Sequence, residues 1–434
     1  MIEEHLEAVG GGTATLIDPP GRITKVLANL ERHATSWVMV TPGRIPPAAL
    51  ANMNRNEVAR MAAGIGLLTS VEMTGDDMTL GISGLAHYLT DASGETSGEG
   101  TAAYLGGTAR TLASYMSIML PITPTYYAVR HGYTTPGVGA PTTVDIGDGA
   151  DSVLDACKWL AKAFNASWRI VADGTPADTG SLTDFRPRLD IRPLNDLWGS
   201  DAAPTVMVSP DLADSPPLPG TWIRWSTNPA VRVVRGSAKR TMDGSRLAGH
   251  TTVYNPQTRR MPEPVGVADG VLKVSTSSVD HNATELYRRK VYETSYDPPN
   301  PTPLDAIAAT KLAADKLPIR SWEVTVDSPL GILSLPPGAP VALMDVRAGA
   351  ADPDFLAMAG VHGVAPLVGL RVIGRKLPFV PRVMGCYVAI AGRYDGWQIL
   401  DVSEWMQEEQ GTVEVAETLG RTNLADITGG AASI

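Results

Sequence analysis

Two cysteines in 434 residues are few, and their scarcity excludes a good deal. Cys157 and Cys386 lie far apart in apolar surroundings, so they can build neither a disulfide framework nor a zinc cluster. Both read as small buried hydrophobes. Aromatic residues are also scarce, at 6% of the chain. Positive charge is in deficit: 36 Lys and Arg against 46 Asp and Glu leave a net charge of −10. A nucleic-acid surface needs clustered cations to displace counterions. The longest basic cluster, "YRRKVY" at 287–292, is short and flanked by Glu285 and Glu293, which reads as a solvated strand or helix face. No sequence-specific nucleic-acid binding is expected. No apolar run nears the roughly 18 residues that span a bilayer, so no membrane insertion is expected either. The acidic opening "MIEEHLEAVGGG" lacks a basic-then-apolar secretion pattern. An aqueous, reducing compartment is the expectation.

Catalytic vocabulary is thin as well. No phosphate-binding glycine loop stands where a strand meets a helix. Ser83 in "GISG" has Gly81 two residues before it but Gly84 only one after, so the nucleophile-elbow pattern fails. The seven histidines (His5, His33, His87, His131, His250, His281 and His362) are scattered without metal-ligand spacing. In "DIGDGAD", Asp145, Asp148 and Asp151 cluster in a glycine-rich turn. They lack the alternate oxygens and distal Glu of a calcium loop, and one of them, or Ser152, reads as a helix cap. Asn165 and Asn282 match glycosylation sequons that read as incidental. Catalytic, cofactor-binding and metal sites are therefore all expected to be none, and the chain is expected not to be an enzyme. Paired carboxylates of a hydrolase remain a spatial question.

What is present is turn and strand. Glycine (43) and proline (34) punctuate many short apolar segments. "LLTSVEM", a Gly-Asp-Asp turn and "MTLGIS" read as a hairpin in which Met78, Leu80 and Ile82 alternate with Thr79, Gly81 and Ser83. Gly81 and Gly84 suggest a bulge or close backbone approach. "TARTLASYMSIML" reads as helical. "SVLDACKWLAKAFNASWRIVADG" reads as helix, strand and turn, with Val153, Cys157, Leu160 and Phe164 on one face and Lys158 and Lys162 outward. A proline-rich linker precedes a helix with Thr302 as cap, Pro303 at its first position, and Leu304, Ala308 and Leu312 in a stripe. "SWEVTVD", "APVALMDV", "VGLRVIG", "VMGCYVAI", "GWQILDV" and "GTVEVAE" follow as strands, and "LADITGGAASI" reads as a frayed tail. Of the nine tryptophans, Trp37, Trp222, Trp322, Trp397 and Trp405 sit at strand ends, as core plugs or as anchors at subunit contacts.

The expected fold class is α+β, mainly β, with several small β-barrel or sandwich domains and an α/β insertion. The divisions are 1–95, an N-terminal barrel-like domain; 96–175, an α/β domain; 176–293, a second β-rich region; 294–318, linker and helix; and 319–434, a C-terminal barrel-like domain.

Three discontinuous pieces carry a family resemblance. They are "MTLGISGLAHYLT", "SVLDACKWLAKAFNASWRIVADG", and the series from "PLDAIAATKLAADKLPIRSWEVTVDS" through "GLRVIG" to "YDGWQILDVSEWMQEEQGTVEVAE". Together they resemble the tail-hub (baseplate-hub-like) minor tail proteins of long-tailed bacteriophages, of the kind found in phages of actinobacteria. The resemblance implies a structural virion protein assembled in the host cytoplasm, forming a ring, as a homotrimer, at the distal end of the tail tube. Its implied partners are the distal tail protein, the tape-measure protein and other tail-tip proteins, around a channel that DNA crosses. An acidic lumen would repel passing phosphate. Ser83 and His87 would be structural. No segment here could house the cell-wall enzyme that some hubs carry. The alternative is a β-sandwich cell-wall hydrolase or carbohydrate-binding tail-tip protein, which would place tryptophans and facing carboxylates in an exposed groove.

Overall fold

The computed structural model describes residues 1–17, 36–90, 108–119, 129–138, 140–145, 152–172, 187–196, 205–208, 233–243, 250–254, 289–293, 308–309, 311–312, 315, 319–326, 332–333, 335–344, 370–380, 382–391, 397–408, 410–418, 421–424 and 427. The calls on 93–102, 221–228, 270–278 and the linker at 295–303 lie outside these residues, as do Thr302, Pro303 and Leu304. Ala308 and Leu312 of the expected stripe are helical and buried.

The fold is mainly β, as expected, with few helices. The first strands are β1 (Ile2–His5), β2 (Gly11–Ile17), β3 (Trp37–Thr41), β4 (Gly64–Thr74) and β5 (Asp77–Gly84). Next come β6 (Arg130–Thr134), β7 (Ser167–Val171), β8 (Arg188–Arg192), β9 (Thr205–Val208) and β10 (Val233–Asp243). A separate parallel pair joins β11 (His250–Tyr254) to β12 (Arg289–Glu293), which places part of the basic cluster in a strand. The last strands are β13 (Ile319–Val326), β14 (Val341–Met344), β15 (Leu370–Leu377), β16 (Gly385–Ala391), β17 (Trp397–Asp401) and β18 (Gly411–Glu417).

Thirteen of these strands form one sheet in the order β14-β9-β10-β13-β18-β15-β1-β2-β5-β4-β3-β16-β17. Two bridges fold that sheet back on itself. Pro340 pairs with Arg371, and Gly338 N–H donates to the Val372 carbonyl at 2.7 Å, so the run from β14 to β15 curls into a six-stranded barrel. Leu16 pairs with Met406, and Gln407 N–H donates to the Thr15 carbonyl at 3.1 Å, which returns the end of the β2-to-β17 run to β2. β1 is the seam, paired with β15 on one side and β2 on the other. Closure of this kind removes the open edges that invite stray pairing. One continuous core of Ile2, Leu16, Leu80, Trp322, Val372, Val388 and their neighbours runs through both halves.

Local chemistry explains the strands. In β5 the expected alternation holds: Met78, Leu80 and Ile82 are buried while Thr79, Gly81 and Ser83 are half-buried. The β4–β5 turn needs only Gly75 and Asp76. Gly75, at φ +65°, takes the positive-φ first position of a type II′ turn. The register slips between Leu68 and Ser70, leaving a bulge at Thr69 beside Gly81.

A smaller three-stranded sheet, β6-β8-β7, carries α2 (Leu112–Met119) and α3 (Val153–Ala163); α1 (Arg55–Met61) packs on the larger sheet. Ser152 caps α3 by accepting the Asp155 N–H at 3.1 Å. Its hydroxyl donates to the Asp155 carboxylate, and this bond, together with Lys158, holds that carboxyl below its ordinary range. Val153, Cys157, Leu160 and Phe164 are buried, and Lys158 and Lys162 face water, as the periodicity required.

Candidate functional site

The strand–glycine–helix join comes first. β5 ends at Gly84, where an added Cβ would lie 1.8 Å from the Val9 carbonyl oxygen, so a glycine is needed for the close approach. Leu85–Leu89 then forms a short 3-10 turn. Leu85 packs with Trp37 and Tyr387, while Ala86 and Leu89 pack with Met116, Leu160 and Trp168. The join therefore plugs two cores at once. Trp37 Nε1 donates to the Tyr88 hydroxyl at 2.7 Å, and burial pushes that phenol up. His87 faces Thr90 across 3.5 Å, and the Thr90 hydroxyl donates to the His87 carbonyl at 2.7 Å.

A buried ionic junction couples the small sheet to the barrels. Asp190 is fully buried and accepts from Arg169 Nε and Nη2, each at 3.2 Å, from Arg188 Nε at 2.8 Å and from the Tyr133 N–H at 3.0 Å. Arg169 then donates through Nη1 to the Pro337 carbonyl at 2.6 Å, in the turn that closes the first barrel. A carboxylate this deep is tolerable only when its charge and lone pairs are met. Arg375 plays the same part beside β1: it pairs with Glu4 and donates to the carbonyls of Ile332 and Ala63. Burial lowers the pKa of Arg371, whose Nη1 donates to the Gly338 carbonyl at 3.3 Å.

The C-terminal segment adds a third tie. Thr422 Oγ1 donates to Asn165 Oδ1 at 2.7 Å, and Leu424 N–H donates to Ser167 Oγ at 2.8 Å. Ile427 is buried against Leu6, Leu194 and Ile319. The expectation of a frayed tail is therefore corrected at Leu424 and Ile427, because Leu424 is hydrogen-bonded to Ser167 and Ile427 is buried among Leu6, Leu194 and Ile319. Residues 428–434 lie outside the described set.

Other candidates do not converge. Asp145 is described; Asp148 and Asp151 are not. Among the described residues no group of three or more His, Cys, Asp or Glu is placed to hold a metal ion. Burial pushes both thiols up to about 12, so Cys157 and Cys386 are inert rather than nucleophilic. Ser403 Oγ donates to Asp401 at 2.6 Å, but it is buried and also accepts the Cys386 N–H, which makes it a turn staple. Trp37, Trp168 and Trp322 are buried, and Trp405 packs half-buried against the main core; Trp222 and the side chain of Trp397 lie outside the described set.

Sequence reasoning missed the arginine junction. Its signal was present in "RLDIR", where Arg188, Asp190 and Arg192 alternate with Leu189 and Ile191, both core residues. Charges on one face of a strand look solvated until another layer covers them.

No protein family matches the sequence, and no curated protein matches it. Among solved structures, the chain is similar to the tail protein from Neisseria meningitidis MC58, at 14% identity and a TM-score of 0.42, covering 95% of this chain and 99% of that one. It is also similar to prophage tail protein gp18 from Listeria monocytogenes EGD-e, at 8% identity and a TM-score of 0.38, covering 81% of this chain and 77% of that one.

Proposed function

We propose that this chain is a structural protein of a bacteriophage tail: a hub that forms a ring, as a homotrimer, at the distal end of the tail tube. There it links tube to tip, contacts the distal tail protein and the tape measure, and surrounds the path of the DNA. The observation that carries the reading is where the three resembling segments go. The β5 join, the α3–β7 unit and the strands β13, β15, β17 and β18 are far apart in sequence, yet they build one pair of barrels with a docked α/β unit. Buried arginines tie these parts together at backbone carbonyls. A body cross-braced in this way suits a ring subunit that must transmit load without yielding.

Trp37 and Trp322, two of the tryptophans that a carbohydrate groove would need, are core residues here, which disfavours the hydrolase or glycan-binding alternative. Native mass spectrometry of the purified chain tests the reading. A species at three times 45.8 kDa is the expected result. A chain that stays monomeric at every concentration would contradict it.

A further inference from the structure

Four of the six exposed large apolar side chains among the described residues fall in two places of opposite charge. The first is the far half of the β4–β5 hairpin. Beyond the bulge at Thr69 the strand is mostly exposed, and Met73 is 55% exposed although its register partner Met78 belongs to the core. Ile17, opposite Asp77 at the end of β2, is 42% exposed. By register Ile17, Asp77 and Glu72 share one face of the finger and Met73 lies on the other; Glu72, Asp76 and Asp77 are all exposed, and residues 64–84 contain no lysine or arginine.

The second place is the β6–β8 face. The Tyr133 ring, 57% exposed, lies 4.8 Å from the Arg188 guanidinium and 5.1 Å from that of Arg192. Arg130 and His131 precede it on β6, and Val138, 63% exposed, follows on the same segment. The acid on this face, Asp190, is fully buried and already paired with Arg169 and Arg188. What reaches the surface is the Tyr133 ring, with the Arg188 side chain 13% exposed and Arg192 half-buried beneath it, in a chain whose net charge is −10.

We propose that these two surfaces are partners, the acidic β4–β5 finger of one copy docking head to tail on the Tyr133–Arg192 face of the next. This contact rests on the ring-forming reading above. A head-to-tail contact joins two different patches, and it closes into a ring when its rotation permits. A two-fold contact made by either patch alone would instead set acid against acid or arginine against arginine. Opposite charges set register and speed encounter, while desolvated Tyr and Arg supply the affinity. The ring of Tyr133 is already oriented by its two guanidinium neighbours.

The full chain is followed by native mass spectrometry and sedimentation at low and high salt. The variants are Glu72→Lys with Asp76→Lys, Arg192→Glu, Tyr133→Ala, and the combination of both charge reversals. Arg188 is left intact because it holds Asp190. Thermal melts select variants that keep the wild-type fold, and two independent surfaces keep the test alive if one variant fails to fold. Each reversal is expected to weaken self-association by about tenfold or more, Tyr133→Ala similarly, with rising salt weakening the wild type. The combined reversal is expected to restore most of the lost association. An oligomer unmoved by either reversal overturns this contact, leaves the ring reading standing and frees the arginine face for a different acidic partner. A wild-type chain that never associates overturns both.

Discussion

Asp190 sits fully buried between two guanidinium groups, so its removal leaves Arg169 buried without its counter-charge. Breaking such a pair from one side costs about 3–5 kcal/mol. Asp190→Ala is therefore expected to lower the unfolding free energy by that order, read as a lower urea midpoint with an unchanged slope. A loss below about 1 kcal/mol, the scale of an ordinary hydrogen bond, would show that the other contacts of Arg169 hold it without Asp190. The thiols make a second residue-scale case. Cys157 and Cys386 are both pushed up to about 12 by burial. The folded chain keeps these protons where the unfolded chain gives them up, near pH 8.5. Their contribution is complete below that pH and falls above it, by about 1.4 kcal/mol per pH unit for each thiol until the folded value is reached. Urea midpoints measured between pH 8 and about 11 should decline, and less steeply for Cys386→Ala. Equal slopes for the two proteins would contradict the assignment. Iodoacetamide should label neither cysteine before unfolding and both after.

Elements were more legible than residues wherever a local rule decided them. The α3 helix could be read from its apolar stripe, and its start from the choice between an aspartate and Ser152; the structure gives the cap to Ser152. Ser152→Ala is expected to cost about 1 kcal/mol, visible as a lower midpoint in chemical denaturation, whereas Ser152→Asn should nearly preserve it. Equal losses for the two variants would mean that the hydroxyl acts through packing. The β4–β5 hairpin was equally readable, because Gly75 supplies the turn and Gly81 the space beside the bulge. The α1 helix was missed despite a clear sign. Asn54 and Glu57 form a reciprocal capping box, with Asn54 Oδ1 accepting the Glu57 N–H at 3.0 Å and Glu57 Oε2 accepting the Asn54 N–H at 2.7 Å. Seven residues of helix leave too short a period to announce themselves.

At the scale of the whole molecule, patterning locates strands and says little about their partners. β16 and β17 complete the sheet begun by β2 to β5, and β1 lies against β15, more than 360 residues later in the chain. Nothing in a strand of alternating Val and Thr encodes which distant strand it will meet; that choice is made by closure and by buried groups such as Arg375, which meets Glu4 and the Ala63 carbonyl at once. The ionic junction was hidden for the same reason, since its charges look solvated in the linear sequence. Two barrels joined through one short seam, with an α/β unit fastened by Arg169, Ser167 and Asn165, make a single braced body. The function proposed above places this body at the tip of a phage tail. The most direct measurement is electron microscopy of virions that encode the chain, labelled with gold-conjugated antibodies raised against it. Label confined to the distal end of the tail is the predicted result; label on the head or along the tube, or virions that lack the protein altogether, would contradict the account.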